Sequence, residues 1–169
     1  MRFNKSLLLG IIAFLLVVVV TVSLVVLPRK TEIRTKAGQE EKALVFFVPG
    51  EAVVKSGETI GLDLKIDTGQ VVCGGVDLTV NYDPTVLNLV APPVGGSVLD
   101  SVTSRENRGV IEIHGEGEFI GQGTVAELVF SGRGFGETTV SFSGETVIWN
   151  EGQTGNILKK TVEAVVVVD

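Results

Sequence analysis

Residues 75–89 carry the clearest pattern in the chain. Val76, Leu78, Val80 and Tyr82 occupy every second position, with Asp77, Thr79 and Asn81 between them. A period of two belongs to a β-strand with one face on a core and the other in water. Asp83-Pro84 then stops the strand, because proline has no N–H to donate and its ring fixes φ. Val86, Leu87 and Leu89 resume apolar character beyond that turn. Ile60, Leu62, Leu64 and Ile66 repeat the alternation against Gly61, Asp63, Lys65 and Asp67.

Shorter apolar runs fill out the series. Ala43–Val48 closes at Pro49-Gly50, Ala52–Val54 at Ser56-Gly57, and Val110–His114 leads into Gly115–Glu118. Thr124–Phe130, the alternating Thr138, Val140 and Phe142, Thr146–Trp149 and the β-branched Thr161–Val168 complete it. Gly74-Gly75 is placed to bulge ahead of the strand at Val76. Ala91–Gly96 reads as a loop, and Ser97–Arg108 as either a short helical turn or an irregular edge. Nineteen glycines punctuate residues 43–169 and no amphipathic helix interrupts them. About nine strands with turns roughly every 8–12 residues predict an all-β, antiparallel β-sandwich.

The N-terminal end is built differently. Leu7–Leu27 is a run of 21 residues without a charge. As a helix it would span about 31 Å, the thickness of a bilayer's hydrocarbon core. Arg2 and Lys5 precede it and Arg29 and Lys30 follow it, so flanking charge does not choose its direction. It reads as an uncleaved signal anchor, residues 1–30, with a cleaved signal peptide as the competing reading. Polar residues 31–42 then tether a domain at 43–169, expected on the extracytoplasmic side of a single-pass membrane protein.

Charge sharpens the division. Residues 1–42 hold seven Lys and Arg against three Glu, whereas residues 43–169 hold seven against seventeen Asp and Glu. So acidic a domain repels phosphate backbones, and nucleic acid is not an expected partner. The single cysteine, Cys73, excludes an internal disulfide and reads as a small buried hydrophobe.

Catalytic chemistry finds little footing. His114, the only histidine, lies in the strand pattern Ile-Glu-Ile-His and reads as a surface or edge residue. Glu112, Glu116 and Glu118 could pair as glycosidase carboxylates only at the right separation, and a solvated strand edge is the better account of them. The carboxylates near Gly115–Gly117 lack the ligand order of a calcium loop. The chain is therefore expected to be a non-enzyme with no cofactor and no metal. Tyr82 falls in the apolar register of the core, and the place of Trp149 is open.

The strand ending Tyr82-Asp83-Pro84-Thr85-Val86-Leu87 resembles the cohesin family, whose domains carry Tyr-Asp-Pro-x-Val-Leu at this point. Gly57-Glu58-Thr59-Ile60, Gly109-Val110-Ile111 and Gly123–Phe130 resemble further family segments in the same order. The resemblance implies a nine-stranded jelly-roll sandwich, related in fold to carbohydrate-binding modules, that captures dockerin modules. It places recognition on the polar face of the motif strand, at Asp77, Thr79 and Asn81, and matches a family glutamate to Glu145. The family often adds an Asn two residues before that Asp, where this chain has Gly75, so an ordinary cellulosomal dockerin is expected to bind weakly or not at all. The expected role is a membrane-anchored module holding a dockerin-like protein. A polysaccharide-binding module and a structural envelope domain without a ligand are the alternatives.

Overall fold

In the computed structural model, the residues described are 43–150 and 155–169. The anchor, Leu7–Leu27, and the tether, 31–42, lie outside them. Among the described residues no helix is long and apolar enough to cross a membrane.

Among the described residues thirteen strands form two packed sheets: β1 (Ala43–Val48), β2 (Glu51–Val54), β3 (Thr59–Asp67), β4 (Cys73–Asn81), β5 (Leu87–Leu89), β6 (Val94–Gly95), β7 (Ser101–Asn107), β8 (Val110–Phe119), β9 (Gln122–Gly132), β10 (Gly136–Phe142), β11 (Val147–Asn150), β12 (Leu158–Val162) and β13 (Ala164–Val168). One sheet runs β12-β1-β3-β9-β5, with β6 also on β9. The other runs β2-β13-β10-β4-β8-β7, with β11 also on β4.

The all-β sandwich is as expected, and it differs from the expectation in detail. The strands are more and shorter than nine, partly because the chain changes sheets within apolar runs. Thr161–Val168 is two strands, and Glu163 separates β12 in one sheet from β13 in the other. The sheets are not wholly antiparallel either. The terminal segments lie side by side in the same direction, β1 on β12 and β2 on β13. Within the ambiguous segment Ser97–Arg108, Ser101–Asn107 is a full strand along β8. β8 itself continues through Gly115 and Gly117 to Phe119, since backbone pairing with β4 and β7 needs no side chain there. The irregularity expected at Gly74-Gly75 is present, but the extra residue is on β8. Gly75 pairs with Glu116 and Cys73 with Phe119, so Gly117 and Glu118 oppose Gly74 alone. Gly117 takes φ 148° at that bulge, a conformation open to glycine.

Inward positions of both sheets make the core. Val76, Leu78 and Val80 of β4 meet Leu62, Leu64 and Ile66 of β3, all at 0–1% exposure. Each such aliphatic side chain contributes about 1.5–3 kcal/mol by leaving water. Tyr82 closes one end, its ring edge-on to Phe130 at 5.1 Å, and its hydroxyl donates to Glu106 Oε1 at 3.1 Å. Burial first, and the Glu106 carboxylate second, push its pKa up to about 12. The Asp83-Pro84 turn is held by the Asp83 carboxylate, which accepts from the Thr85 amide at 2.8 Å and hydroxyl at 2.7 Å. Cys73 is fully buried, as a small hydrophobe would be.

The alternation of β4 gives a direct test. Leu78→Asp would bury an unpaired carboxylate and is expected to cost about 4 kcal/mol or more, enough to unfold the domain. Thr79→Asp points outward, opposite Glu112, and should cost about 1 kcal/mol or less from like-charge repulsion. Urea unfolding followed by circular dichroism distinguishes them; equal damage from both would contradict the register.

Candidate functional site

Because β4 and β8 both bury alternate residues, their remaining side chains share the outer face of the sheet. Cross-strand pairing arranges them in rows. Val147, Asp77, His114 and Thr103 form one row from β11 to β7. Thr79, Glu112 and Arg105 form the next, beside the Ser143–Thr146 turn that carries Glu145. Trp149, Gly75, Glu116 and Ser101 form the third.

Two shallow depressions meet at Asp77 and His114, which line both. The first, about 430 Å³, is also lined by Thr79, Arg105, Glu112 and Glu145. The second, about 470 Å³, adds Glu116, Val147, Trp149 and Asn156. Asp77, Thr79 and Glu145 thus come together, although Glu145 is distant in sequence. Asn81 shares their side of β4 but lies farther along, between Ser141 and Val110 and outside both depressions. Thr79 and Asn81 are half-buried, whereas Asp77 and Glu145 are exposed.

His114 occupies the middle of this face. It sits on an inner strand, not a sheet edge. Its Nδ1 lies 2.7 Å from Asp77 Oδ1, and its Nε2 lies 3.4 Å from Glu116 Oε1. An ionised carboxylate only accepts, so Nδ1 carries a hydrogen and donates to Asp77. The hydrogen bond to Asp77 is the main cause of a pKa raised above the ordinary imidazole value, and Glu116 adds to it. Protonated His114 therefore supports the fold below the ordinary imidazole range, and that support is lost as pH rises through the raised value. The side chains of His114, Asp77 and Glu116 are 48%, 55% and 62% exposed, so water keeps the contribution small.

Trp149 explains what stands in place of the missing amide. Its indole lies over Gly75: a Cβ added there would meet ring atom Cζ2 at 2.5 Å and the Gly115 carbonyl oxygen at 2.6 Å. The ring also packs against the His114 imidazole, with centroids 5.8 Å apart and planes tilted by 36°. Asn156 Oδ1 fastens this end of the face by accepting from the Ile148 and Leu158 amides at 3.1 and 3.0 Å. The indole Nε1 is buried and has no hydrogen-bond partner among the described residues.

Sequence reasoning placed Asp77, Thr79 and Glu145 but gave His114 and Trp149 no part in the site. The outward register of Glu112, His114 and Glu116 was readable from Ile111 and Ile113 between them. Their pairing with β4 was not, since it is set by contacts distant in sequence. Arg105 falls in the segment that showed no period.

If Trp149 occupies the amide's place, Gly75→Asn must displace it. That substitution is expected to cost about 1–3 kcal/mol from overpacking and to shift the emission of the only tryptophan to the red. Thermal unfolding and fluorescence measure both effects, and unchanged stability with unchanged emission would contradict the packing.

The architecture matches solved structures of low identity. A non-cellulosomal cohesin from the archaeon Archaeoglobus fulgidus superposes with TM-score 0.63 at 19% identity, covering 76% of this chain and 91% of that one. A type I cohesin–dockerin complex from Clostridium thermocellum gives 0.65 at 16%, over 77% and 95%. A type II cohesin from the cellulosome of Acetivibrio cellulolyticus gives 0.62 at 17%, over 74% and 95%. No curated protein matches the chain. These likenesses show the fold alone; the family is shown by the sequence, which matches the cohesin domain model over residues 45–168. That span takes in both sheets and both sides of the Asp77–His114 face, and the chain belongs to the cohesin family.

Proposed function

We propose that this chain is a docking module that holds a dockerin-like protein on the outer face of β11, β4, β8 and β7. The observation that carries the reading is the placement of Asp77. It stands exposed at the centre of a rigid strand, where two depressions meet and beside the half-buried ring of Trp149. A flat face with a charged centre and an aromatic flank suits a protein surface, since interface energy concentrates in a few such anchors. Solved cohesins of the same fold have been captured with dockerins, among them the Clostridium thermocellum complex. The function is one of binding rather than catalysis.

With Trp149 over Gly75, the face offers an aromatic surface where an amide would offer hydrogen bonds. Its partner is accordingly expected to differ from ordinary cellulosomal dockerins. The charge-free run Leu7–Leu27 supports an anchor that keeps the module in a membrane, with the domain on the extracytoplasmic side.

Pull-down with the full chain, followed by sequencing of what is retained, tests the docking. The captured protein should carry a dockerin-like repeat. Asp77→Ala should weaken its binding by about 1–3 kcal/mol with little change in stability, while Glu118→Ala should have little effect. Full binding by an Asp77→Ala, Thr79→Ala double variant would move the site elsewhere, and retention on polysaccharide with no protein partner would overturn the reading. For the anchor, the full chain is expected to stay in the membrane pellet through alkaline carbonate extraction. A mature chain beginning near Leu24 would contradict it.

A further inference from the structure

The Asp77–His114–Glu116 cluster has more in it than a docking anchor needs. One imidazole is wedged between two carboxylates on neighbouring strands, with Nδ1 2.7 Å from one and Nε2 3.4 Å from the other. Among the described residues these are the ion pairs on the face. The charged groups disposed around His114 are Asp77 from β4, Glu112 and Glu116 from β8 itself, Arg105 from β7, and Glu145 ahead of β11. Trp149 closes the β11 side without a charge.

Protonation changes what this cluster offers. With both ring nitrogens protonated, His114 donates to Asp77 and to Glu116 together, and the three groups carry one net negative charge. After loss of the Nε2 proton, a lone pair faces Glu116, that carboxylate is released, and the net charge becomes −2. A partner that donates hydrogen bonds or brings a cation needs the same carboxylate oxygens. It therefore competes with the imidazolium.

We propose that His114 is a proton-operated gate on the docking face, and that the partner presents a basic, hydrogen-bond-donating element whose arrival at Asp77 and Glu116 expels the proton. This rests on the reading of that face as the docking surface. The sign of the partner follows from charge: four carboxylates surround His114 against one arginine, and residues 43–169 hold seventeen acidic residues against seven Lys and Arg. The raised pKa of the free imidazole agrees, because carboxylates that stabilise its charged form lose that role once a partner occupies them. Between the raised value of the free chain and the lower value of the complex, binding releases a proton and affinity rises with pH. Full release of one proton corresponds to about a tenfold gain per pH unit.

The chain has one tryptophan and one histidine, and they are in ring contact, so Trp149 emission reports His114 protonation. In the full chain, the emission should titrate with a midpoint above the ordinary imidazole value of about 6.5. His114→Gln should abolish the transition. The probe for docking is a synthetic helical peptide bearing two arginines one turn apart. It should bind at least about threefold more tightly near pH 8 than near pH 6 and should lower the emission midpoint. His114→Gln, which keeps a donor but not the titration, should bind it equally at both pH values. A midpoint at the ordinary value, no binding by the peptide, or a pH dependence that survives His114→Gln would each overturn the gate. Binding at Asp77 that ignores pH would remove the proton link and leave the docking face standing. Peptide binding indifferent to Asp77→Ala would remove the face itself.

Discussion

Everything on the outer face of β4 and β8 depends on the inward packing of β4. Val76, Leu78 and Val80 are buried to within 1% of full exclusion from solvent, and β4 is held by β8 on one side and by β10 and β11 on the other. A slip of one residue would bury Asp77 and Thr79 and expose those three aliphatic side chains, so the core fixes the register. β8 obeys the same constraint through Ile111 and Ile113. The observed pairing of the two strands then sets His114 beside Asp77 and Glu112 beside Thr79. The outward display of these side chains is thus a consequence of hydrophobic burial on the opposite face.

The composition of the face follows from its exposure. Ion pairs between groups about half open to water contribute little to stability. Trp149 is the exception to that polarity. By covering Gly75 it fills the groove that a side chain there would occupy, and it brings an aromatic surface to the edge of the charged row. The pair is one device: glycine permits the close approach, and the indole shields the backbone that glycine leaves bare.

How far this was legible in the sequence varies with how local the cause is. Alternation at residues 60–66 and 76–82 and the Tyr82-Asp83-Pro84 corner depend on neighbouring residues, and they reappear in the structure almost unchanged. β7 was obscure because two of its inward positions are Ser104 and Glu106, the second of which accepts from Tyr82. An edge strand with polar inward residues has no hydrophobic period to read. The division at Glu163 was hidden inside a mostly β-branched run, since sheet membership is decided by β1 and β2 more than a hundred residues earlier. For the same reason the site was half legible. Asp77 and Thr79 followed from the strand they sit on, whereas the partnership of His114 and the position of Trp149 arise from pairing across the sheet.

The account's central claim is that a partner docks on the flat face of β4 and β8 rather than on the loops. Amide hydrogen exchange of the full chain, measured with and without its captured protein, tests this most directly. Partner-dependent protection should gather at residues 75–81, 110–116 and 145–149. Protection confined to the Val90–Pro93 loop, or to the exposed Phe135 turn, with the β4 and β8 face unchanged, would contradict it.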